Sequence, residues 1–304
     1  MKRATIDIGS NSVLLLAGTM ENGLLTEVLN ESRITSLGKN LDIAKMFNPE
    51  SMEATFTALK DYKTLLESNG FLVAQTIVTA TEASRVAKNA EDFFQKIKNE
   101  LGFNIIKISA EGEAYYTALG VVSSLSKNQQ NTVVVLDIGG ASSELIKIQL
   151  HPFQILSTIS LPIGSVRATD WINDGSIDTK WHEIALKFSM NDYETKQLIC
   201  VAGSMTSLGA IYFKLPVFDA EALEGKVVGK NNFHQFLSSL LKIQPNDLLA
   251  QYPYLGKRVN SISGGVWVAN KIVERVCQTE LLISTRGLRY GTFISGGIDE
   301  QYTY

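Results

Sequence analysis

The sequence predicts an α/β protein of two domains, the second built on the plan of the first. Three observations point there. The chain begins with TIDIGSNSVLLLAG after four residues and returns at 132 with TVVVLDIGGASSELIKI, so an apolar run, Asp-Ile-Gly, a small polar turn and a second apolar run occur twice. Strand-like apolar runs alternate with segments whose apolar residues recur at helical spacing. Finally, 304 residues with 45% hydrophobic content suit two cores better than one.

The elements follow in order. Residues 4–8 and 13–19 read as strands joined by Gly9-Ser10-Asn11-Ser12, with Glu21-Asn22-Gly23 as the next turn. Asn48-Pro49-Glu50 starts a helix that carries Met52, Phe56, Leu59, Leu65 and Leu66 until Ser68-Asn69-Gly70 stops it. A strand at 73–79, a helix at 90–101 ended by Gly102, a strand at 105–109 and a helix from Glu111 complete the first half. The polar stretch 123–131 marks the boundary. Strands at 132–137, 144–150 and 153–159, helices at 164–172 and 180–188, and a strand at 198–202 meeting Gly203-Ser204 restart the plan. Residues 233–241 and 267–276 carry helical apolar spacing suited to core or a subunit interface.

Composition excludes several functions. Lys plus Arg number 28 against 31 Asp plus Glu, a net charge of −3 that argues against a DNA- or RNA-coating protein. An anionic ligand must then be held locally. Cys200 and Cys277 have no paired spacing, and His151, His182 and His234 are isolated, so neither a disulfide framework nor a zinc site is expected. The N-terminal apolar stretch breaks at Asp7 and Gly9, unlike a signal peptide, and no run is long enough to span a bilayer. The expected setting is cytoplasmic, with no membrane partner.

The repeated turn has a chemistry of its own. Glycine and small polar residues let successive backbone N–H groups converge into a nest for phosphate oxygens, with Ser10, Asn11 and Ser12 adding side-chain donors. An aspartate at the strand end suits a Mg²⁺ that bridges to the phosphate, which assigns Asp7 and Asp137 as metal ligands facing a shared cleft. Neither a Walker loop nor a G-x-G-x-x-G helix start is present.

TIDIGSNS, TATEASRVAKN (79–89), ISAEGEAYYTALGV (108–121), VVVLDIGGASSEL (133–145), SLPIGSVR (160–167), VAGSMTSL (201–208) and GLRYG (287–291) together resemble, in order and over nearly the whole chain, the exopolyphosphatase and guanosine pentaphosphate phosphatase (Ppx/GppA) family. The resemblance implies two ribonuclease H-like domains, of the actin, sugar-kinase and heat-shock ATPase type, around a central cleft. Their expected extents are 1–122 and 123–291, with 292–304 packing back on the first. It implies Mg²⁺- or Mn²⁺-dependent hydrolysis of terminal phosphoanhydride bonds, with Glu113 activating water, Glu144 as a second acidic residue near metal or water, and Arg85 reaching phosphate. Glu111 is the weaker candidate for the base. Gly9, Ser10, Asn11, Ser12, Gly139, Gly140, Ala141, Ser142, Ser143, Gly203 and Ser204 would bind phosphate, and Asp7, Asp137 and Glu144 the metal. Members commonly form homodimers, so a homodimer is expected here.

The chain departs from the family pattern at Ala110, Ala141, Ser204 and Tyr290. A positive φ at Ala141 would cost roughly 1–2 kcal/mol. Longer members carry an added C-terminal helical region that the given sequence does not show, and its Lys and Arg do not cluster into a basic track, so the expected preference is for short-chain polyphosphate or a nucleotide with a terminal phosphoanhydride. Three alternatives stand beside the exopolyphosphatase reading: a guanosine pentaphosphate phosphohydrolase, a kinase-like ATP user, and a non-catalytic sensor of polyphosphate or guanosine polyphosphates.

Overall fold

The computed structural model describes residues 1–21, 24–126 and 130–304. Asn22-Gly23 of the expected first turn, and 127–129 of the expected boundary stretch, lie outside the described residues. The chain divides into two compact units, Met1–Gly120 with Leu288–Tyr304, and Val121–Gly287.

In the first unit β1 (Lys2–Ile8), β2 (Ser12–Glu21) and β3 (Leu24–Ile34) form an antiparallel meander. The strand β3 was not expected, because its sequence TEVLNESR is that of a half-solvated edge rather than an apolar run. Next come α1 (Leu41–Ala44) and α2 (Pro49–Ser68). The start of α2 is fixed by the Asn48 side chain, which accepts from Ser51 N at 2.9 Å, and by Pro49, whose missing N–H costs nothing in a first turn. Tyr62, fully buried, donates from its hydroxyl to the Val13 carbonyl at 2.9 Å and ties α2 to β2.

The expected strand at 73–79 is shorter. Residues 73–75 form a single 3₁₀ turn, and only β4 (Ile77–Ala80) pairs, parallel to β1 from Thr5↔Ile77 onward. β-branched residues signal extended chain, but the partner strand decides where pairing begins. Then follow α3 (Glu82–Val86), α4 (Ala90–Leu101), β5 (Ile105–Lys107) parallel to β4, and α5 (Ala110–Val122).

The second unit repeats the scheme with β6 (Thr132–Ile138), β7 (Ser143–Gln149) and β8 (Gln154–Leu161) antiparallel, then α6 (Ser165–Asn173), α7 (Ile177–Lys187) and β9 (Thr195–Val201) parallel to β6. It continues through α8 (Ala202–Tyr212), α9 (Ala220–Leu223), β10 (Val227–Gly229), α10 (Lys230–Leu240), α11 (Pro245–Gln251), α12 (Ile262–Val276) and β11 (Cys277–Ile283). The chain then returns to the first unit as α13 (Leu288–Ser295).

The sheet orders are β3-β2-β1-β4-β5 and β10-β11-β9-β6-β7-β8. Each therefore contains three antiparallel strands followed by two parallel crossovers, the ribonuclease H-like arrangement, with β10 added at one edge of the second. Parallel neighbours need a crossover, which α8 to α12 supply between β9 and β11. Phe233 and Leu237 of α10 and Val268 and Ile272 of α12 are buried in the second unit's core, as their helical spacing predicts. No helix among the described residues is long and apolar enough to cross a membrane.

Candidate functional site

The two Asp-Ile-Gly turns fold alike. Gly9 N donates to Ser12 O at 2.9 Å, and Gly139 N to Ser142 O at 3.0 Å. In the second unit the loop carbonyls are held from one side. Gly139 O accepts from Ser165 N at 2.9 Å, Gly140 O from Val166 N at 2.8 Å and Arg167 N at 3.1 Å, and Ala141 O from Arg167 Nη1 at 2.5 Å. The peptide unit is planar and trans, so tying these three carbonyls to the start of α6 turns the N–H groups of Gly140, Ala141 and Ser142 the opposite way, side by side. Converging N–H groups of this kind are the donor set an anion nest requires. Ala141 is not among the residues with positive φ, so the loop forms without the left-handed penalty.

Gly164 makes the clasp possible: a Cβ there would lie 2.5 Å from the Gly140 carbonyl carbon and 2.7 Å from Ala141 N. The first unit uses the same device. Ser10 O accepts from Gly38 N at 2.7 Å, Asn11 O accepts from Thr35 N and Ser36 N at 3.0 Å each, and a Cβ on Gly38 would lie 2.9 Å from the Ser10 Cβ. Ser10, Asn11, Ser142 and Ser143 are all buried. The Ser143 hydroxyl donates to Ile163 O at 2.6 Å and thus fixes the clasping segment.

The acidic residues differ between the units. Asp137 and Glu144 stand directly opposite one another in the β6–β7 register, so their side chains share a face of the sheet. Both are buried, and Ser160 Oγ donates to Glu144 Oε1 at 2.8 Å. Two neighbouring carboxylates repel, and a cation, a shared proton or hydrogen-bond donors relieve that repulsion. Asp7 pairs instead with Leu14, so its strand neighbour brings no second carboxylate. Among the described residues no group of three or more His, Cys, Asp or Glu gathers as a metal cage. Mg²⁺ does not ask for one: it usually takes one or two carboxylates and completes its octahedron with water and phosphate oxygens. Asp137 and Glu144 fit that habit.

Glu113 lies in the first turn of α5, and its side chain is 14% exposed. Its Oε2 sits 3.1 Å from Arg85 Nη2. The same Arg85 nitrogen reaches Glu82 Oε2 at 2.9 Å, and Nη1 donates to Ile108 O at 2.7 Å. Burial pushes the Glu113 carboxyl above its ordinary range, against the pull of Arg85, while Glu82 adds a smaller push in the same direction. Arg85 stays charged under its two carboxylate partners. The structure therefore brings Arg85 and Glu113 together, and leaves Glu111 exposed. Asn89 instead serves the fold: its amide bonds both Phe47 N and Phe47 O.

α8 opens with Ala202, whose φ of 70° is strained for an alanine, followed by Gly203 and Ser204. The Arg258 guanidinium lies against the Gly203 Cα, where any Cβ would collide with it. Among the described residues no carboxylate pairs with it, and burial alone pushes it down to about 10. Arg258 carries no local motif in the sequence, Arg167, Gly164 and Glu82 fall inside the quoted motifs without a role of their own, and Gly38 lies outside them. The signal for the glycines was present, since Leu37-Gly38 and Ile163-Gly164 recur in matching places after the two turns. Tyr290 is buried beside Leu16 and Phe293, and its hydroxyl donates to Glu27 at 2.8 Å.

The profile of the Ppx/GppA phosphatase family matches residues 18–296. Exopolyphosphatase 2 of Mycobacterium tuberculosis is 28% identical over 317 residues, covering 96% of this chain and 97% of that protein. A bifunctional 3-dehydroquinate synthase/phosphatase of Fusobacterium nucleatum is also 28% identical, over 97% of this chain but only 46% of its own length. This chain thus spans under half of that relative. The crystal structure of the Aquifex aeolicus Ppx/GppA family member superposes with a TM-score of 0.76 at 28% identity, over 97% of both chains. An exopolyphosphatase from Cytophaga hutchinsonii reaches 0.86 at 21% identity, over 98% of this chain and 99% of that one, a likeness of fold.

Proposed function

Because this chain belongs to the Ppx/GppA phosphatase family, we propose that it hydrolyses the terminal phosphoanhydride bond of short polyphosphates and releases inorganic phosphate. The observation that carries the reading is Glu113, a partly buried carboxylate paired with an arginine at the head of a helix. Glu113 takes a proton from water as its oxygen attacks the terminal phosphorus. The bond to the bridging oxygen breaks, and the shortened chain leaves with the electron pair.

The N–H groups of Gly140, Ala141 and Ser142, and those of Asn11 and Ser12, take non-bridging phosphate oxygens. Arg85 orients Glu113 and opposes the burial that favours its neutral form. Gly203, Ser204 and the Arg258 guanidinium hold a further phosphate. Asp137 and Glu144 would hold Mg²⁺, or Mn²⁺, which when bound neutralises charge on the phosphate oxygens.

The test is phosphate release by the purified protein with Mg²⁺, across polyphosphates of graded length, guanosine pentaphosphate and ATP, with Glu113→Gln in parallel. Release from short polyphosphate that falls at least 100-fold in the variant supports the proposal. Preferential release from guanosine pentaphosphate would reassign the substrate. Binding without release would make the protein a sensor.

A further inference from the structure

The segment Asp299–Tyr304 makes more contacts than its distance from the motifs would suggest. It forms a short 3₁₀ turn, Glu300–Tyr302, capped by the Asp299 carboxylate, which accepts from Gln301 N at 3.1 Å. Beyond the turn it runs antiparallel to the chain leaving β5. Ile108 bridges to Thr303, Ser109 N donates to Tyr302 O at 2.8 Å, and Tyr304 N donates to Lys107 O at 2.9 Å.

Ser109 is the residue through which this reaches the helix. Its Oγ accepts from Gly112 N at 3.1 Å and its carbonyl from Glu113 N at 2.9 Å, so it caps α5 and sets the position of Glu113. The segment also presses directly on that first turn. A Cβ on Gly112 would lie 2.8 Å from both the Cβ and the carbonyl oxygen of Tyr302. The Tyr302 ring stacks on Tyr115 with centroids 4.6 Å apart and meets Tyr116 edge-on at 5.6 Å. Asp299 N donates to the Tyr116 hydroxyl at 2.9 Å. Tyr115 and Tyr116 follow Glu113 on the same helix, so the turn bearing the carboxylate is held by Arg85 at its side-chain end and by Asp299–Tyr304 at its backbone.

We propose that Asp299–Tyr304 is a positioning strap for Glu113, with Tyr302 its principal residue. This rests on the reading of Glu113 as the base. A base displaced by about 1 Å loses on the order of 100-fold in rate while substrate binding through the phosphate loops is untouched. The groups facing Glu113 from the elements packed against it are Arg85 and Glu82 of α3, with the uncharged Ser109 before α5. Loosening the turn admits water to the carboxylate and slackens the Arg85 pair. Burial is the larger influence, so the net movement is toward the ordinary carboxylate range.

The experiment compares the full chain with Tyr302→Ala, Gly112→Ala, Tyr302→Phe and Glu113→Gln, reading kcat, KM for short polyphosphate, the acidic limb of the pH profile, and circular dichroism. The strap predicts a kcat at least 10-fold lower in Tyr302→Ala and Gly112→Ala, KM within two-fold, and an acidic limb moved to lower pH. Tyr302→Phe, which keeps the ring stack, restores kcat. Folded variants with unchanged kcat, or with kcat and KM altered together and the limb unmoved, overturn it. If Tyr302→Ala does not fold, Gly112→Ala decides by the same criteria. Should Glu113→Gln retain activity, the assignment of the base fails first and the strap with it.

Discussion

Gly164→Ala tests the geometry of the second phosphate loop most directly. The added Cβ would lie 2.5 Å from the Gly140 carbonyl carbon, 2.7 Å from Ala141 N and 2.7 Å from Gly139 O. All three are backbone atoms, so no side chain can swing aside. Ordinary carbon contacts lie near 3.5 Å, which requires the loop and the start of α6 to part by about 1 Å. Overpacking of this kind costs about 1–3 kcal/mol. For a unit of this size that lowers Tm by about 2–12 °C. The φ of Gly164 is −136°, open to alanine, so the effect is steric alone.

The carbonyls of Gly139, Gly140 and Ala141 would lose their partners, and the nest its alignment. We expect kcat/KM for phosphate release to fall about 100-fold at substrate concentrations below KM. Gly38→Ala, with its nearest atom at 2.9 Å on a serine side chain, should show the same defect in milder form. Gly229→Ala, where the nearest atom is 3.9 Å away, serves as the control. If Gly164→Ala melts within a degree of the parent and keeps kcat/KM within two-fold, the clasp does not shape the phosphate site.

Further outcomes follow from the same geometry. Glu113 must be ionised to accept a proton, and burial holds its carboxyl up, so activity should rise with pH along a limb above the usual carboxylate range. Arg85→Ala removes the charge that opposes this and should move the limb to higher pH, whereas Glu82→Gln should move it lower; opposite or absent shifts in a pH–rate series would refute the coupling. For stability the sign is reversed: a carboxyl with a raised folded-state pKa contributes below its unfolded value, and that contribution is lost as pH rises through the folded one. Mg²⁺ should raise the Tm of the parent and leave that of Asp137→Asn and Glu144→Gln unchanged; a Mg²⁺-dependent Tm that persists in both variants would show that these residues do not hold the ion. Arg258→Leu should weaken inorganic phosphate binding at least 10-fold by calorimetry with little loss of Tm, since it discards a partly buried charge that no carboxylate among the described residues pairs; unchanged affinity would return Arg258 to a packing role.

The repeated Asp-Ile-Gly turn was legible because backbone chemistry writes itself locally: glycines, small polar residues and flanking apolar runs suffice to mark a hairpin. So were the helices with strong caps, such as Asn48-Pro49 at the start of α2. The edge strand β3 and the shortened β4 were not, since each is decided by a partner strand rather than by its own residues. Ala141 shows the same limit at one residue. Its sequence position suggested possible strain, and only the three carbonyls clasped by α6 explain why an alanine fits with ordinary φ.

Sequence alone determined the family, the repeated strand plan and the candidate carboxylates, because motifs in order survive without knowledge of contacts. The tertiary structure decided which of them meet. Arg85 and Glu113 are 28 residues apart and share an ion pair, Asp137 and Glu144 oppose one another through strand register, and Tyr302 reaches Ser109 from the far end of the chain. Such pairings depend on how crossovers return the backbone to a sheet, and no local stretch of residues carries that information.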